Sequence, residues 1–227
     1  MYQHLLKRTI DIALSLVALT ILSPVLVPIC IVLLITGEHY VFYFQERIGY
    51  KNKNFHIWKF ATMTKNSPNM AGGLHTTRND PRILPIGGFL RRTKINELPQ
   101  LINILIGDMS IVGPRPLVDK TFAPYPEHVK AVIYNVKPGL TGIGSIVFRD
   151  EEELLSRTTM PLEEYYRMHI SPYKGELELW YQNNLSAYTD LMLVFLTAWA
   201  IVAPQSELVY KVFKDLPERP EELRRRD

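Results

Sequence analysis

Hydrophobic and polar positions are distributed unevenly along the chain. From Ile12 to Thr36, 25 consecutive residues (IALSLVALTILSPVLVPICIVLLIT) carry no charge. At ~1.5 Å per helical residue this run reaches roughly 37 Å, more than the ~30 Å hydrocarbon core of a bilayer. A helix apolar on every face for so long predicts a membrane-embedded segment. A signal peptide with Lys7 and Arg8 as its basic start fits badly, because the run is too long and no small-residue cleavage site follows. Ser23-Pro24 sits in its middle and Pro28 follows. Each proline removes a backbone donor, which predicts a kink near Ser23. Lys7 and Arg8 precede the segment, and Arg47, Lys51, Lys53 and Lys59 follow it. Basic flanks favour the cytoplasmic side, so a re-entrant helix that bends at Ser23-Pro24 and returns satisfies both. A simple span is the alternative, since spanning helices tolerate proline.

Beyond Gly37 the pattern changes to shorter elements. His39–Gln45 (HYVFYFQ) predicts a strand from its aromatic and β-branched content, and Phe55–Phe60 predicts its partner across the turn-like Gly49–Asn54. Ser67–Asp80 reads as a loop. Ile95, Leu98, Leu101, Ile102 and Leu105 recur at the spacing of one helical face, predicting a helix over 95–106. Asn96 serves as its expected N-cap, Pro99 sits in its first turn and Gly107 suits its end. A further helix is expected over Glu127–Asn135, then a turn at Lys137-Pro138-Gly139, then a polar helical stretch over 161–186. The apolar Leu191–Ala203 is only 13 residues long, too short to span, and is expected to lie in the interface plane or against the membrane helix. It also leaves a surface on which a second copy can pair. The tail, 214–227, reads as a solvated, frayed end. The resulting division is a membrane helix over 1–37, a small α/β domain with interfacial helices over 38–213, and the tail.

Charge sharpens this picture. Residues 38–150 hold 15 Lys/Arg against 8 Asp/Glu, whereas residues 151–213 hold 4 against 9. The first half is built to meet anions, yet no docking motif for nucleic acid accompanies the charge. The single Cys, Cys30, excludes a disulfide framework, and the six His lack metal-ligand spacing.

Chemistry concentrates in a few segments: Gln45-Glu46-Arg47-Ile48-Gly49, Lys59-Phe60-Ala61-Thr62-Met63, Asp80-Pro81-Arg82, Asn96-Glu97-Leu98-Pro99-Gln100, Gly113-Pro114-Arg115-Pro116 and Lys137-Pro138-Gly139-Leu140-Thr141-Gly142. A helix start is a ready anion site, and Arg91, Arg92 and Lys94 immediately precede the one expected at Asn96. Arg115 is placed by two flanking prolines, and its planar fork suits phosphate oxygens, as does the cation of Lys59. Mg²⁺ commonly takes one or two carboxylates plus substrate phosphate, so Glu97 suffices as a protein ligand, with Asp80 and Asp108 as weaker candidates. Each feature also has a plainer reading. Arg91 and Arg92 can meet anionic lipid headgroups, Glu97 can be a favourable first-turn charge, and Pro114–Pro116 can merely stiffen a loop. Asp80-Pro81-Arg82 reads more readily as a turn or structural ion pair than as catalytic.

In this order, behind a Ser-Pro-interrupted apolar helix, the motifs resemble the bacterial sugar transferase family, the monotopic phosphoglycosyl transferases that act on polyprenyl phosphate. The resemblance runs from Lys7-Arg8…Asp11 to about Ala203. It implies a cytoplasmic-face site at the bacterial inner membrane, Mg²⁺, a UDP-sugar donor, and a polyprenyl phosphate or polyprenyl-linked acceptor, in surface glycan biosynthesis. In that family an Asp-Glu pair leads the helix corresponding to Asn96-Glu97. The Asp attacks the β-phosphate, releases UMP and holds the phosphosugar, while the Glu position, Glu97 here, is associated with the metal. Pro114-Arg115-Pro116 corresponds to a segment associated with the donor.

Two departures stand out. Asn96 occupies the nucleophile position, and a neutral amide does not form an acyl phosphate at a useful rate. Ala61 stands where the family often has Arg. Three readings stay open: an engineered substitution in an ordinary phosphoglycosyl transferase; a variant without the covalent intermediate, with Glu97 or Asp80 as base or metal ligand and attack at the anomeric carbon; or a catalytically silent membrane scaffold.

Overall fold

The computed structural model describes residues 5–67, 70, 80–149, 151–203 and 205–224. Its first element, α1 (Lys7–Ile35), is a helix of 29 residues with Pro24 and Pro28 inside it. Pro24 lacks the N–H that would bond the Thr20 carbonyl, and the Ser23 hydroxyl donates to that same carbonyl at 2.8 Å. The Ser-Pro pair therefore removes a backbone donor and replaces it with a side-chain one, as apolar surroundings require. The helix runs unbroken through Ser23-Pro24.

The described chain divides into two compact units, and α1 belongs to the first through Asp11 and to the second from Ile12. The second unit spans Ile12–Glu46 and His56–Ile106. Strands β1 (Phe42–Ile48) and β2 (Asn54–Phe60) form a hairpin whose tips belong to the first unit. The strand predicted over 39–45 thus starts and ends three residues later. His39 is in the left-handed region at φ 58°, and its ring Nδ1 lies 2.9 Å from the Leu34 carbonyl, so a turn occupies the expected start. At the other end the Ile48 N–H donates to Leu117 O at 2.9 Å, which extends the strand through Glu46-Arg47. Phe42 stacks on Phe60 and meets Trp58 edge-on. Ile29 and Leu33 of α1 are buried with Phe60 and Leu90, forming this unit's core.

Helices α2 (Gly87–Arg92) and α3 (Gln100–Ile106) complete the unit. The single helix predicted over 95–106 is split. Ile95–Glu97 forms a 3₁₀ turn entered through Lys94 at φ 60°, and α3 starts only after Pro99. Asn96 lies inside that turn, so it is not the expected N-cap. The polar surface of α3 docks it to the hairpin: Asn103 Oδ1 accepts from the Trp58 N–H at 2.9 Å, and its Nδ2 donates to His56 O at 2.8 Å. Gly107 follows α3 at φ +101°, as its predicted terminator should.

The first unit comprises Met1–Asp11, Arg47–Phe55 and Gly107–Asp227. Short strands β3 (Ser110–Val112) and β4 (Gly139–Thr141) pair in parallel, Ser110 with Gly139 and Val112 with Thr141. Two motifs of the sequence meet here backbone to backbone. A Cβ on Gly139 would sit 2.1 Å from Gly113 N, and one on Gly113 would sit 2.3 Å from Lys137 O. Glycine is therefore a spatial requirement at both positions. The stretch 127–135 forms α5 (Glu127–Lys130) and a 3₁₀ turn, after α4 (Asp119–Phe122). Then come α6 (Ile143–Val147), α7 (Glu151–Arg157), α8 (Leu162–Tyr165), a π-helical segment Tyr166–Ile170 and α9 (Ser171–Asn183). The 161–186 stretch is helical as expected but not simply polar, because Ile170, Tyr173, Leu177 and Tyr181 enter the main core.

Ser186 caps α10 (Ala187–Val202), accepting from the Thr189 N–H at 3.1 Å. Leu193 and Leu196 of α10 face the core, while Leu191, Phe195, Trp199 and Ile201 are exposed, the pattern expected of an interfacial helix. After α11 (Leu208–Val212) the tail departs from the frayed end expected of it. Leu216 and Leu223 are buried, Tyr165 donates to Glu222 O at 3.1 Å, and Arg219 donates to Val147 O at 3.2 Å. Two leucines among ten charges are enough to anchor it. Residues 225–227 lie outside the described residues.

The start of α1 is fixed within this unit. The buried Lys7 ammonium pairs with Asp190 and donates to Val112 O at 3.0 Å, while Asp190 Oδ1 accepts from the Tyr181 hydroxyl at 2.7 Å. Asp11 Oδ1 accepts from Ser110 Oγ at 3.1 Å and from the Ile111 N–H at 3.0 Å. Removing one partner of such a buried pair typically costs about 3–5 kcal/mol.

Candidate functional site

In the second unit, the hairpin and the turn before α3 bring Lys59 and Glu97 together at 3.5 Å, both side chains less than a fifth exposed. Next to Glu97, Asn96 is buried, and its Oδ1 has no hydrogen-bond partner. A buried amide oxygen left unsatisfied is costly, so a position like this is commonly functional. Arg91 and Arg92 form the last turn of α2, and Arg91 Nη1 lies 3.4 Å from Thr62 Oγ1. Arg92 and Lys94 are exposed.

Asp80 has a different setting. Its Oδ1 accepts from Arg82 Nε at 2.9 Å and from the Arg82 N–H at 3.0 Å, and its Oδ2 accepts from Arg82 Nη2 at 2.6 Å. Arg82, itself buried, also donates to Ser67 O at 3.0 Å. This bidentate pair closes the two ends of the 67–80 loop, and it engages both oxygens considered for catalysis. Residues 68–69 and 71–79 of that loop lie outside the described residues.

In the first unit, Arg115 is exposed while Pro114 and Pro116 on either side are buried. The loop is held from behind. Tyr134 donates its hydroxyl to Arg115 O at 2.9 Å and accepts from the Leu117 N–H at 2.9 Å, and Arg47 Nη1 donates to Pro116 O at 3.1 Å. Burial pushes the Tyr134 phenol well above its ordinary value, so it stays a neutral donor. An exposed guanidinium on a rigid, proline-flanked loop is pre-organised for a phosphate.

Beneath this loop lies a titratable cluster that has no signature in the sequence. Lys174 pairs with Glu151 at 2.7 Å and sits over the rings of Phe148 and Tyr166. Burial lowers the Lys174 ammonium, against the opposing pull of Glu151, and the charge of Arg115 lowers it further. Glu178, on the same helix α9, is buried with its Oε2 unpartnered. Burial raises its carboxyl to about 8, despite Lys174 and the Gly144 N–H, which favour the ionised form. Gly144 is tied to it sterically, since a Cβ there would lie 2.5 Å from Glu178 Oε1.

The pH consequence of Glu178 follows from that shift. A carboxyl raised to about 8 when folded and near its ordinary value of 4.5 when unfolded contributes stability that is full below the unfolded value and lost as pH rises through the folded one. Between those limits the loss is about 1.4 kcal/mol per pH unit. Glu178→Gln keeps the shape and removes the titration. Thermal unfolding should therefore show the variant close to the natural protein at pH 5 and increasingly more stable than it from pH 6 to 8. Parallel curves for the two proteins would contradict a neutral Glu178.

The positions singled out in the sequence thus fall into local groups. Lys59, Asn96 and Glu97 share one neighbourhood, Arg91 and Arg92 share a helix end, Asp80 is bound to Arg82, and Pro114-Arg115-Pro116 stands on its own pinned loop. Tyr134, Lys174 and Glu178 are the supporting residues that sequence reasoning missed, whereas Arg47 was singled out only within its motif and as a basic flank. Among the described residues no group of three or more His, Cys, Asp or Glu side chains is arranged to hold a metal ion.

Comparison with known proteins agrees with the motif order. The family profile described as "Bacterial sugar transferase" matches residues 2–204. The UDP-glucose:undecaprenyl-phosphate glucose-1-phosphate transferase of Escherichia coli (strain K12) is 36% identical over 199 residues, covering 86% of this chain and 40% of that protein. The exopolysaccharide production protein ExoY of Rhizobium meliloti (strain 1021) is 32% identical over 210 residues, 86% of this chain and 84% of its own. The exopolysaccharide production protein PSS of Rhizobium leguminosarum bv. phaseoli is 32% identical over 200 residues, 84% and 92% respectively. The chain thus spans about two fifths of the E. coli relative and most of the two exopolysaccharide proteins.

Proposed function

The chain belongs to the bacterial sugar transferase family, and from that premise we propose that it moves a phosphosugar from a UDP-sugar to a polyprenyl phosphate at the cytoplasmic face of a bacterial inner membrane, in surface glycan assembly. The observation that carries this reading is the Lys59–Glu97 pair beside the buried, unsatisfied Asn96 oxygen, at the position where the family places its acid pair. Exposed Arg115, on its own pinned loop in the first unit, is taken separately as a phosphate-binding cation.

Phosphoryl transfer asks for positioning and charge neutralisation rather than covalent help from the protein. With an amide at position 96, the reading requires direct displacement. An oxygen of the lipid phosphate forms a bond to the β-phosphorus, the bridging P–O bond breaks, and UMP leaves with that bond's electron pair. Lys59 binds and orients phosphate oxygens, and its charge offsets part of the negative charge spread over the transferring group. The donor set here, one carboxylate and one amide oxygen, suits a hard cation that is completed by substrate oxygens. Glu97 and Asn96 Oδ1 are the residues that would hold Mg²⁺, which when bound neutralises diphosphate charge. Asn96 also supports a second reading, attack by a membrane acceptor at the anomeric carbon with UDP as the leaving group. The nucleotide product separates them. Purified protein with lipid acceptor and a panel of UDP-sugars should release UMP; UDP would favour glycosyl transfer, and no nucleotide at all would favour a scaffold.

The re-entrant path of α1 is part of the proposal. Lys7 is bound to Asp190 and Asp11 to Ser110 and Ile111, all later in the chain. Among the described residues α1 is the one helix long and apolar enough to cross a membrane, and α10, with 16 residues, is shorter. A single crossing would separate Lys7 from Asp190 by the bilayer. Single-cysteine variants near the start of α1 and in the 205–224 region should therefore label from the same side of sealed vesicles. Labelling from opposite sides would overturn the re-entrant path.

A further inference from the structure

The last turns of α1 fix the depth at which the second unit sits. Ile29 and Leu33 pack against Phe60 and Leu90, whereas Ile31, Leu34 and Ile35 of the same turns are exposed. Ile29 precedes Ile35, the last residue of α1, by six positions, which at ~1.5 Å per residue is roughly 9 Å inside the helix end. Open apolar side chains on an uncharged helix belong in lipid. The residues that cover the other side of those turns therefore stand at the depth of the bilayer surface, not above it.

The hairpin continues that apolar contact outward. Strand alternation puts Phe42, Phe44 and Glu46 on one face of β1, and Phe60, Trp58 and His56 on one face of β2. Ring contacts join the two sets into a single hairpin face. Phe42 lies 5.8 Å from Phe60 and 5.3 Å from Trp58 between centroids, and Phe44 lies 4.9 Å from Trp58. Burial falls steadily along this face. Phe60 is 2% exposed, Phe42 and Trp58 are half-buried, Phe44 is 48% exposed, and the polar far end, Glu46 and His56, is exposed. Helix α2 repeats the pattern beside it. Its Leu90 joins the same core, while Phe89 is exposed with Arg92 one turn further on, and Lys94 follows, both cations exposed. Aromatic rings with cations at their edge match the membrane–water boundary, where rings sit at headgroup level and basic side chains meet anionic lipid.

We propose that the Phe42, Phe44 and Trp58 face, together with Phe89, is a second membrane contact, seated among the lipid headgroups beside the end of α1, with Glu46 and His56 left in water. Lipid is the occupant because the face is continuous with the open apolar turns of α1. The proposal rests on α1 being membrane-embedded, and it needs neither a particular path for α1 nor the transfer chemistry.

Spin labels measure the depth. In a Cys30→Ala background, Phe44→Cys, Phe89→Cys and His56→Cys each carry one nitroxide, and the full chain is reconstituted into vesicles of phosphatidylethanolamine and phosphatidylglycerol. Labels at positions 44 and 89 should collide several-fold more with oxygen, which concentrates in lipid, than with a water-soluble nickel chelate, and the label at position 56 should show the reverse. A preference for the chelate at 44 and 89 in vesicle-bound protein overturns the proposal and leaves α1 membrane-embedded. Shielding from both reagents, with broadening between labels of neighbouring copies, overturns it in favour of a second copy of the chain. Protein that does not float with the vesicles overturns both the proposal and the membrane reading of α1. If Cys30→Ala does not fold, vesicles of dibrominated phosphatidylcholine give the same information. Their bromines should quench the unsubstituted chain more strongly than Trp58→Phe, and equal quenching overturns the proposal.

Discussion

Arg115→Ala and Glu97→Ala should each lower the rate of nucleotide release by about 10²–10³-fold, the usual effect of deleting one pre-organised group that offsets developing charge. The two substitutions act on different local structures. Arg115 is exposed between buried prolines, and its backbone is held by Tyr134 and Arg47, so truncating the side chain leaves the loop in place. Stability should change by no more than about 0.5 kcal/mol. Glu97 meets Lys59 at 3.5 Å, so its removal deletes a carboxylate and leaves a partly covered ammonium beside Asn96. Steady-state rates over a range of UDP-sugar concentrations measure both effects. Unchanged rates in either variant would remove that residue from the transfer reaction.

Asn96→Asp carries the larger qualitative change. Asn96 is buried at the 3₁₀ turn with an oxygen that bonds nothing, so Asp is close in shape and needs no repacking. A carboxylate there supplies a nucleophile that this chain lacks. Incubated with a UDP-sugar and no lipid acceptor, the variant should gain the mass of one phosphosugar and release one equivalent of UMP, while the unsubstituted chain gains none. Addition of polyprenyl phosphate should discharge the adduct. If Asn96→Asp forms no adduct with any UDP-sugar, the phosphosugar reading of this site fails.

Much of the molecule is legible in the residues because its strongest signals are local. The uncharged Ile12–Thr36 run, the Phe55–Phe60 strand and the Gly107 terminator each follow from propensity over a short window. Motif order was enough to identify the family. What escaped was set by distant partners. Ile48 bonding to Leu117 carries β1 past the position that its aromatic content suggested. Pro99 and the left-handed Lys94 divide a helix whose apolar spacing is continuous. The burial of Leu216 and Leu223 depends on surfaces supplied by much earlier residues, which charge composition hides. In the site, Asp80 was weighed as both structural and catalytic, and the three bonds from Arg82 show how fully it is engaged. Tyr134 and Glu178 carry no motif, because what matters in each is burial behind a loop or a glycine rather than spacing along the chain.

The fate of the donor's β-phosphorus tests the transfer claim most directly. With a UDP-sugar labelled with ³²P at the β position and polyprenyl phosphate as acceptor, the label should move into the lipid fraction together with the sugar. Sugar in the lipid fraction while the label stays with the nucleotide would contradict it.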